Sequence, residues 1–209
     1  MAEANTKMAG STVRVDGYRA TSKFTKRSVE CLNIFSGACE AKEQDGFVKY
    51  VDVDIFGRCS NTSLCRQPNT SADCLTPELN KYKFYLSFEN SFCKDYFTEK
   101  LLRLFLPNIN VVPVVRGGAD YDRSIPENTF INADSFKTAK DLAMFLKNLS
   151  SDVERYSDIL RAKDQYRFLR TPNFYCTICN KLRNASIKPK VYDSKAWLEE
   201  QCRDPKKFK

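Results

Sequence analysis

The sequence predicts an α/β fold with a largely parallel, Rossmann-like sheet. The first observation behind this prediction is the order of elements, since runs typical of strands alternate with runs typical of helices. The second is an amphipathic helix between residues 138 and 149. The third is composition: of 209 residues, 42% are hydrophobic and 29% charged, as in ordinary globular domains. A chain of this length forms one domain, or one domain with an appendage.

Four strands are predicted from runs of β-branched and aromatic residues. The first closes on Gly57, and the third runs into Gly117 and Gly118, which permit a turn. Between the first two strands, residues 59–75 are rich in Ser, Thr, Asn and Cys, which predicts a loop held by disulfides. The predicted strands are residues 47–57, 82–88, 110–115 and 130–131.

Helices are predicted over residues 98–106, from Thr138 onward, and over 152–167. Thr138 and Asp141 form a capping-box pair, and apolar residues then recur at i, i+3, i+4 and i+7. These apolar residues are Leu142, Phe145, Leu146 and Leu149. The expected domains are a poorly ordered or remnant segment over 1–46, the Rossmann-like domain over 47–170, and an irregular, cysteine-bearing tail over 171–209.

Composition excludes several classes of site. Histidine is absent, which excludes Ser-His-Asp and Cys-His catalysis and histidine metal sites. None of the seven glycines forms GxGxxG or GxxxxGK(S/T), so simple dinucleotide and Walker-type sites are excluded too. The net charge of +8 indicates an anionic partner, either nucleic acid or a phosphate-bearing small molecule. The basic residues lack an RNA-binding aromatic motif or zinc-finger spacing, which disfavours nucleic acid.

Nine cysteines and four N-x-S/T sequons indicate an oxidising, lumenal compartment. Because nine is odd, at least one thiol is free or pairs with another chain. Yet the first thirty residues lack the apolar stretch of a secretory signal, so an upstream segment is expected to be missing. The candidate glycosylation sites are Asn61, Asn69, Asn148 and Asn184.

The densest polar segment, residues 88–100, follows a predicted strand and leads into a predicted helix. Ligands of open α/β sheets bind at such junctions, where backbone N–H groups and the helix dipole favour phosphate. Lys100 could neutralise a diphosphate, and Glu99 could accept hydrogen bonds from ribose hydroxyls. Asn90 and Tyr96 could hold a base or sugar. The alternative is a capped, solvated first turn that binds nothing.

Six short segments share the motifs of one known family. They are YKFYLSFENS at 82–91, DY at 95–96, TEK at 98–100, VPVV at 112–115 before Gly117, FIN at 130–132 and VDIFGRC at 53–59. Together they resemble the α1,3-fucosyltransferases of glycosyltransferase family 10. The resemblance covers about residues 47–205 and is most specific over 82–136.

This resemblance implies a fold like the C-terminal half of a GT-B glycosyltransferase. It implies GDP-fucose as the donor substrate, no required cofactor or metal, and inverting α1,3 transfer to GlcNAc of a protein-linked glycan. It also implies a type II membrane protein of the Golgi with a lumenal domain. The donor contacts that carry over from the family's motifs are Asn90, Tyr96, Glu99 and Lys100.

The sequence departs from the family in two respects. Family members are longer, and their N-terminal half binds the acceptor and supplies the carboxylate base, so the catalytic residue is unassigned here. An arginine in the family pattern R-x-x-(Y/F)-V is replaced by Gln44. We therefore expect a truncated or diverged chain that binds GDP-fucose weakly, transfers little fucose and meets a membrane only through a missing upstream anchor. The alternatives are a non-catalytic nucleotide-sugar-binding module and a basic nucleic-acid-binding domain.

Two further motifs are expected to hold no metal. Asp52 and Asp54 imitate a DxD motif but lie in a predicted strand without other oxygen ligands nearby in sequence. Cys176 and Cys179 form a CxxC that lacks the second CxxC or histidines of a zinc site. Similar cysteines of the family are engaged in disulfides, so these two are the disulfide candidates.

Overall fold

The computed structural model describes residues 30–35, 47–57, 72–168, 174–184, 191 and 193–203. Its centre is a five-stranded parallel sheet with strand order β2-β1-β3-β5-β6. Two short strands, β4 and β7, form a separate antiparallel pair. The strands are β1 Glu30–Phe35, β2 Asp52–Gly57, β3 Phe84–Phe88, β4 Phe92–Cys93, β5 Val112–Arg116, β6 Ile131–Asn132 and β7 Cys202–Arg203.

The α/β prediction with a parallel sheet is confirmed by this topology. Strands β3 and β5 pair in register from Phe84 opposite Val112 to Phe88 opposite Arg116. Both strands are buried almost throughout, as expected for parallel strands covered on two faces. Their carboxyl ends therefore meet at one edge of the sheet.

Strand β1 was not predicted, although it lies inside the sheet and joins β2 to β3. It lies within residues 1–46, which were predicted to be a poorly ordered or remnant segment. The sheet therefore includes chain that precedes residue 47. Periodicity missed this strand because six residues with two polar members form too short a pattern.

The three predicted helices occur in the predicted order: those predicted over 98–106 and 152–167 are shorter, and the one that starts at Thr138 extends to Ser151. Thr138 and Asp141 make both bonds of the capping box at the start of α4, as predicted. The helix predicted over 98–106 is one turn of α-helix, continued by a 3₁₀ turn at Arg103–Phe105. The helices are α1 Ala72–Leu79, α2 Glu99–Leu102, α3 Tyr121–Ser124, α4 Ala139–Ser151, α5 Val153–Asp164, α6 Phe174–Arg183 and α7 Ser194–Gln201.

Two regions of the chain that were predicted to be irregular contain helices. Helix α1 begins inside the predicted loop 59–75, whose residues up to 71 lie outside the described part of the chain. Helices α6 and α7 lie in the tail that was expected to be irregular. None of the helices in the described ranges is long and apolar enough to cross a bilayer.

The core lies on both faces of β3 and β5. On one face, Phe84, Leu86 and Val114 pack against α4 and α5. On the other face, Tyr85 packs with Leu79 of α1 and with Leu104 of the 3₁₀ turn. This packing fixes the ends of β3 and β5 against helices, so the loops that leave those ends start from rigid positions.

Candidate functional site

The candidate site lies where β3 and β5 end. Glu89 follows β3, and its N–H donates to Arg116 O at 2.9 Å, which extends the ladder by one bond. Residues 89–98, here called the site loop, then lead to α2. Gly117 and Gly118 follow β5 on the same edge. This is the edge at which open α/β sheets bind ligands.

Asn90 and Tyr96, two of the predicted donor contacts, are brought together in the structure. The Tyr96 hydroxyl donates to Asn90 Oδ1 at 3.1 Å across the site loop. Between them, Asp95 has φ of 58°, which reverses the chain in a region that Asp tolerates better than most residues. Asn90 is exposed and Tyr96 is half-buried, so a ligand can reach both.

Glu99 and Lys100 point in different directions. Glu99 is exposed on the first turn of α2 and pairs with Arg103 at 3.3 Å. Lys100 is buried, with 5% of the residue exposed. Its ammonium donates to Phe88 O at 2.9 Å and lies 3.8 Å from Glu89 Oε2. Lys100 is therefore held at the end of β3, close to the site, but its charge already faces protein groups.

Glu89 belongs to this site, although no role was predicted for it from the sequence. It is buried, and it accepts hydrogen bonds from Thr98 N at 2.8 Å and from Thr98 Oγ1 at 2.9 Å. Burial raises the pKa of the Glu89 carboxyl, and the Thr98 hydrogen bonds and Lys100 oppose that rise. A charged residue directly after a buried strand was the available sequence clue.

Gly117 and Gly118 allow the turn after β5 to approach the site loop. A Cβ on Gly118 would lie 2.4 Å from the Phe92 carbonyl carbon and 2.5 Å from Cys93 N and O. A Cβ on Gly117 would lie 2.5 Å from the Tyr121 hydroxyl. Gly118 thus permits a backbone contact that a side chain would prevent, whereas Gly117 leaves room for the Tyr121 and Glu89 side chains.

A C-terminal strap, defined here as residues 194–203 of α7 and β7, holds the middle of the site loop. Strands β4 and β7 pair, a disulfide joins Cys93 to Cys202, and Lys94 N donates to Gln201 O at 2.7 Å. Arg203 lies 5.4 Å from the centre of the Phe92 ring. The strap therefore fixes the loop segment that separates Asn90 from Tyr96.

Arginine and aspartate side chains connect this strap to the sheet. Arg116 at the end of β5 is buried, lies 5.4 Å from the Phe92 ring centre and pairs with Asp134 at 3.3 Å. Asp134 also lies 3.9 Å from Arg203. The carboxylate of Asp134 thus links a buried arginine of the sheet to an arginine of the strap, and both arginines lie near the Phe92 ring.

The predicted disulfides of Cys176 and Cys179 are wrong in this structure. Both are exposed free thiols on α6. Three residues apart on a helix, their Cβ atoms are about 5–6 Å apart, beyond the usual disulfide span. Cys202 is not available to them because it is bonded to Cys93.

The remaining candidate residues either have a described position in the structure or lie outside the described part of the chain. Asp54 accepts a hydrogen bond from the Tyr82 hydroxyl at 2.9 Å. No group of three or more potential metal ligands occurs in the described part of the chain. Asn148 is exposed near the end of α4, and Asn184 is exposed after α6. Asn61, Asn69 and Gln44 lie outside the described residues.

The part of the chain that is similar to known proteins includes the candidate site. The family described as Glycosyltransferase family 10 (fucosyltransferase) C-term matches residues 35–197. Glycoprotein 3-alpha-L-fucosyltransferase A of Drosophila melanogaster is 40% identical over 148 residues, which cover 69% of this chain and 29% of that protein. Human alpha-(1,3)-fucosyltransferase 7 is 34% identical over 155 residues, covering 72% of this chain and 43% of that protein.

A solved structure shares the fold. The crystal structure of an alpha1,3-fucosyltransferase aligns with a TM-score of 0.52 at 22% identity, over 72% of this chain and 40% of that one. The chain thus spans less than half the length of these relatives. Since the family match takes in β3, the site loop, β5 and α4, the chain belongs to glycosyltransferase family 10, the fucosyltransferases.

Proposed function

We propose that this chain is the donor-binding part of an α1,3-fucosyltransferase, which transfers fucose from GDP-fucose to GlcNAc of a protein-linked glycan. The observation that carries the proposal is the family match over residues 35–197, which contains all four candidate donor contacts. Three of the four, Asn90, Tyr96 and Lys100, converge at the carboxyl edge of the sheet. The relatives' names support the α1,3 linkage.

In this proposal different site residues bind different parts of the donor. Asn90 and Tyr96 already share a hydrogen bond and offer further polar groups to a sugar or base. Glu99 is exposed, so its carboxylate can accept hydrogen bonds from ribose hydroxyls. Lys100 supplies the positive charge for the diphosphate. Because its ammonium has three donors and Phe88 O takes one, a phosphate oxygen can share it.

The chemistry required is departure of GDP and activation of the acceptor hydroxyl. A fixed cation beside the leaving diphosphate stabilises the charge that develops there. A general base must remove the acceptor proton, and we assign that role to no residue of this chain. The proposal includes no metal ion, so GDP binding should persist in EDTA.

We further propose that the domain works in the lumen of the Golgi. The Cys93–Cys202 disulfide supports an oxidising compartment, where such bonds persist. The exposed sequon residues Asn148 and Asn184 are compatible with glycosylation there. Sensitivity of protein expressed in eukaryotic cells to an N-glycosidase would test this, and loss of both sites by mutation should remove the corresponding mass shift.

Calorimetry with GDP tests the donor assignment. The 209-residue chain should bind GDP, and Lys100→Ala should weaken that binding at least tenfold, as expected for a charge-assisted contact worth about 1.5–3 kcal/mol. Lys147→Ala, on the exposed side of α4, is the matched control and should leave affinity unchanged. Absence of GDP binding to the unaltered chain would refute the assignment, as would equal effects of the two substitutions.

A second candidate function is a nucleotide-sugar-binding module that does not transfer. It is a candidate because transfer needs a general base for the acceptor hydroxyl, and we assign that role to no residue of this chain. Radiolabelled fucose transfer to a glycopeptide ending in GlcNAc separates the two functions. Binding without turnover would indicate the second.

A further inference from the structure

Glu89 lies between the two elements that form the candidate donor site. Its backbone belongs to the end of the β3–β5 ladder, through the bond to Arg116 O. Its carboxylate faces the start of α2, where Thr98 is the N-cap residue. A rigid strand therefore places this carboxylate, and the carboxylate in turn contacts the turn that carries Lys100.

The surroundings of Glu89 account for a buried carboxylate. Its side chain is 1% exposed, and an uncompensated charge at such a position would be strongly destabilising. The Thr98 N–H and hydroxyl donate to it, and the Lys100 ammonium lies 3.8 Å from Oε2. The arrangement is thus a buried pair with added hydrogen bonds, of the kind that holds a single geometry.

Lys100 has little freedom in this pair. Its side chain is 7% exposed, and its ammonium is tied to Phe88 O at 2.9 Å. Glu89 supplies the opposite charge on the second side. A long lysine side chain normally samples many rotamers, and here two groups of the β3 end limit it to one position.

We propose that Glu89 is a positioning residue of the donor site, which as the buried counter-ion of Lys100 aims that lysine at the diphosphate without touching the donor. This inference rests on the proposed function. A positioning role of Glu89 has a different consequence for binding than a merely structural role would have. Loss of the Glu89 charge should weaken recognition of the phosphates and leave recognition of the nucleoside unchanged.

The test compares GDP with guanosine on the full 209-residue chain and its Glu89→Gln variant. Glutamine keeps an oxygen that can accept from Thr98 but turns an uncharged amide towards Lys100. GDP affinity should fall about tenfold, the scale of one charge-assisted contact, while guanosine affinity measured by competition stays the same. Glu127→Gln, an exposed glutamate after α3, is the control and should change neither affinity.

Other outcomes overturn the inference. If Glu89 merely repels the diphosphate, Glu89→Gln should raise GDP affinity. If Glu89 only supports the fold, both affinities should fall together. If Glu89→Gln does not fold, Thr98→Val is the second variant: it removes the hydroxyl that donates to Glu89 and that also accepts from Lys100 N at the start of α2. It should lower GDP affinity a few-fold and leave guanosine affinity unchanged. Unchanged GDP affinity in Thr98→Val would then refute the inference.

The two proposals fail separately. If the unaltered chain does not bind GDP, the donor assignment itself is wrong. If the unaltered chain binds GDP, and Glu89→Gln binds it equally well, only the positioning role is wrong. A loss of GDP affinity in Lys100→Ala would identify Lys100 as the contact through which Glu89 acts.

Discussion

The disulfide between the site loop and the strap should be a main source of stability. Cys93 and Cys202 are 109 residues apart, so their bond closes most of the described domain into one loop. In the chain-entropy model, a cross-link that closes a loop of about 100 residues is worth about 4.7 kcal/mol at 25 °C. Replacing both cysteines by serine should remove that constraint without leaving an unpaired thiol.

The loss should appear as a lower free energy of unfolding. At roughly 2–4 °C per kcal/mol for a chain of this size, the midpoint of thermal unfolding should fall by roughly 9–19 °C. Among the described residues, the other contacts of the strap are the two-residue pairing of β7 with β4, the Lys94 N to Gln201 O hydrogen bond, and the contacts of Arg203 with Phe92 and with Asp134 at 3.9 Å. The site loop should therefore become mobile before the sheet unfolds.

Urea denaturation in oxidising buffer is the assay, with Cys176→Ser combined with Cys179→Ser as the matched control. Both control residues are exposed free thiols, so this variant should stay within about 0.5 kcal/mol of the unaltered chain. The reasoning is refuted if the Cys93 and Cys202 variant unfolds at the same urea concentration as the unaltered chain. It is equally refuted if the control loses as much stability.

Three further perturbations test other parts of the structure. Burial lowers the pKa of Lys163 from 10.5 to about 8, so between these values the unfolded state binds more protons and stability should rise with pH. Urea midpoints from pH 8 to 10 should show that rise for the unaltered chain and a smaller one for Lys163→Met. Gly118→Ala should lower the free energy of unfolding by about 1–3 kcal/mol or more, because its Cβ would overlap the Phe92 and Cys93 backbone. An unchanged midpoint of thermal unfolding would contradict that contact. Tyr96→Phe loses the bond to Asn90 and should weaken GDP binding roughly two- to tenfold by calorimetry, with stability unchanged.

Locally encoded elements were predictable from the sequence. Helix α4 was predicted with its cap because Thr138, Asp141 and the apolar residues lie within one short segment. Strands β3 and β5 were predicted because fully buried strands appear as apolar runs. The strand-to-helix junction at residues 88–100 indicated the site for the same reason: its residues are neighbours in the chain.

Contacts between distant segments were not predictable. The roles of Glu89 and Lys100 depend on which way each side chain turns once β3 and α2 are packed, and sequence motifs name residues without giving that direction. The prediction that Lys100 contacts a diphosphate did not include the contacts of its ammonium with Phe88 O and Glu89. Similarly, β1 is recognisable only from its pairing with two other strands.

The sequence alone determined the fold class and the family, and it predicted the segment of the candidate site, because these follow from local patterns and motifs. Only the tertiary structure decided the cysteine pairing and the burial of the charges. Cysteine connectivity cannot be deduced from spacing, since many pairings are compatible with the same positions. The bond from Cys93 to Cys202 forms because β4 and β7 become neighbours after the sheet, the site loop and the strap have packed together.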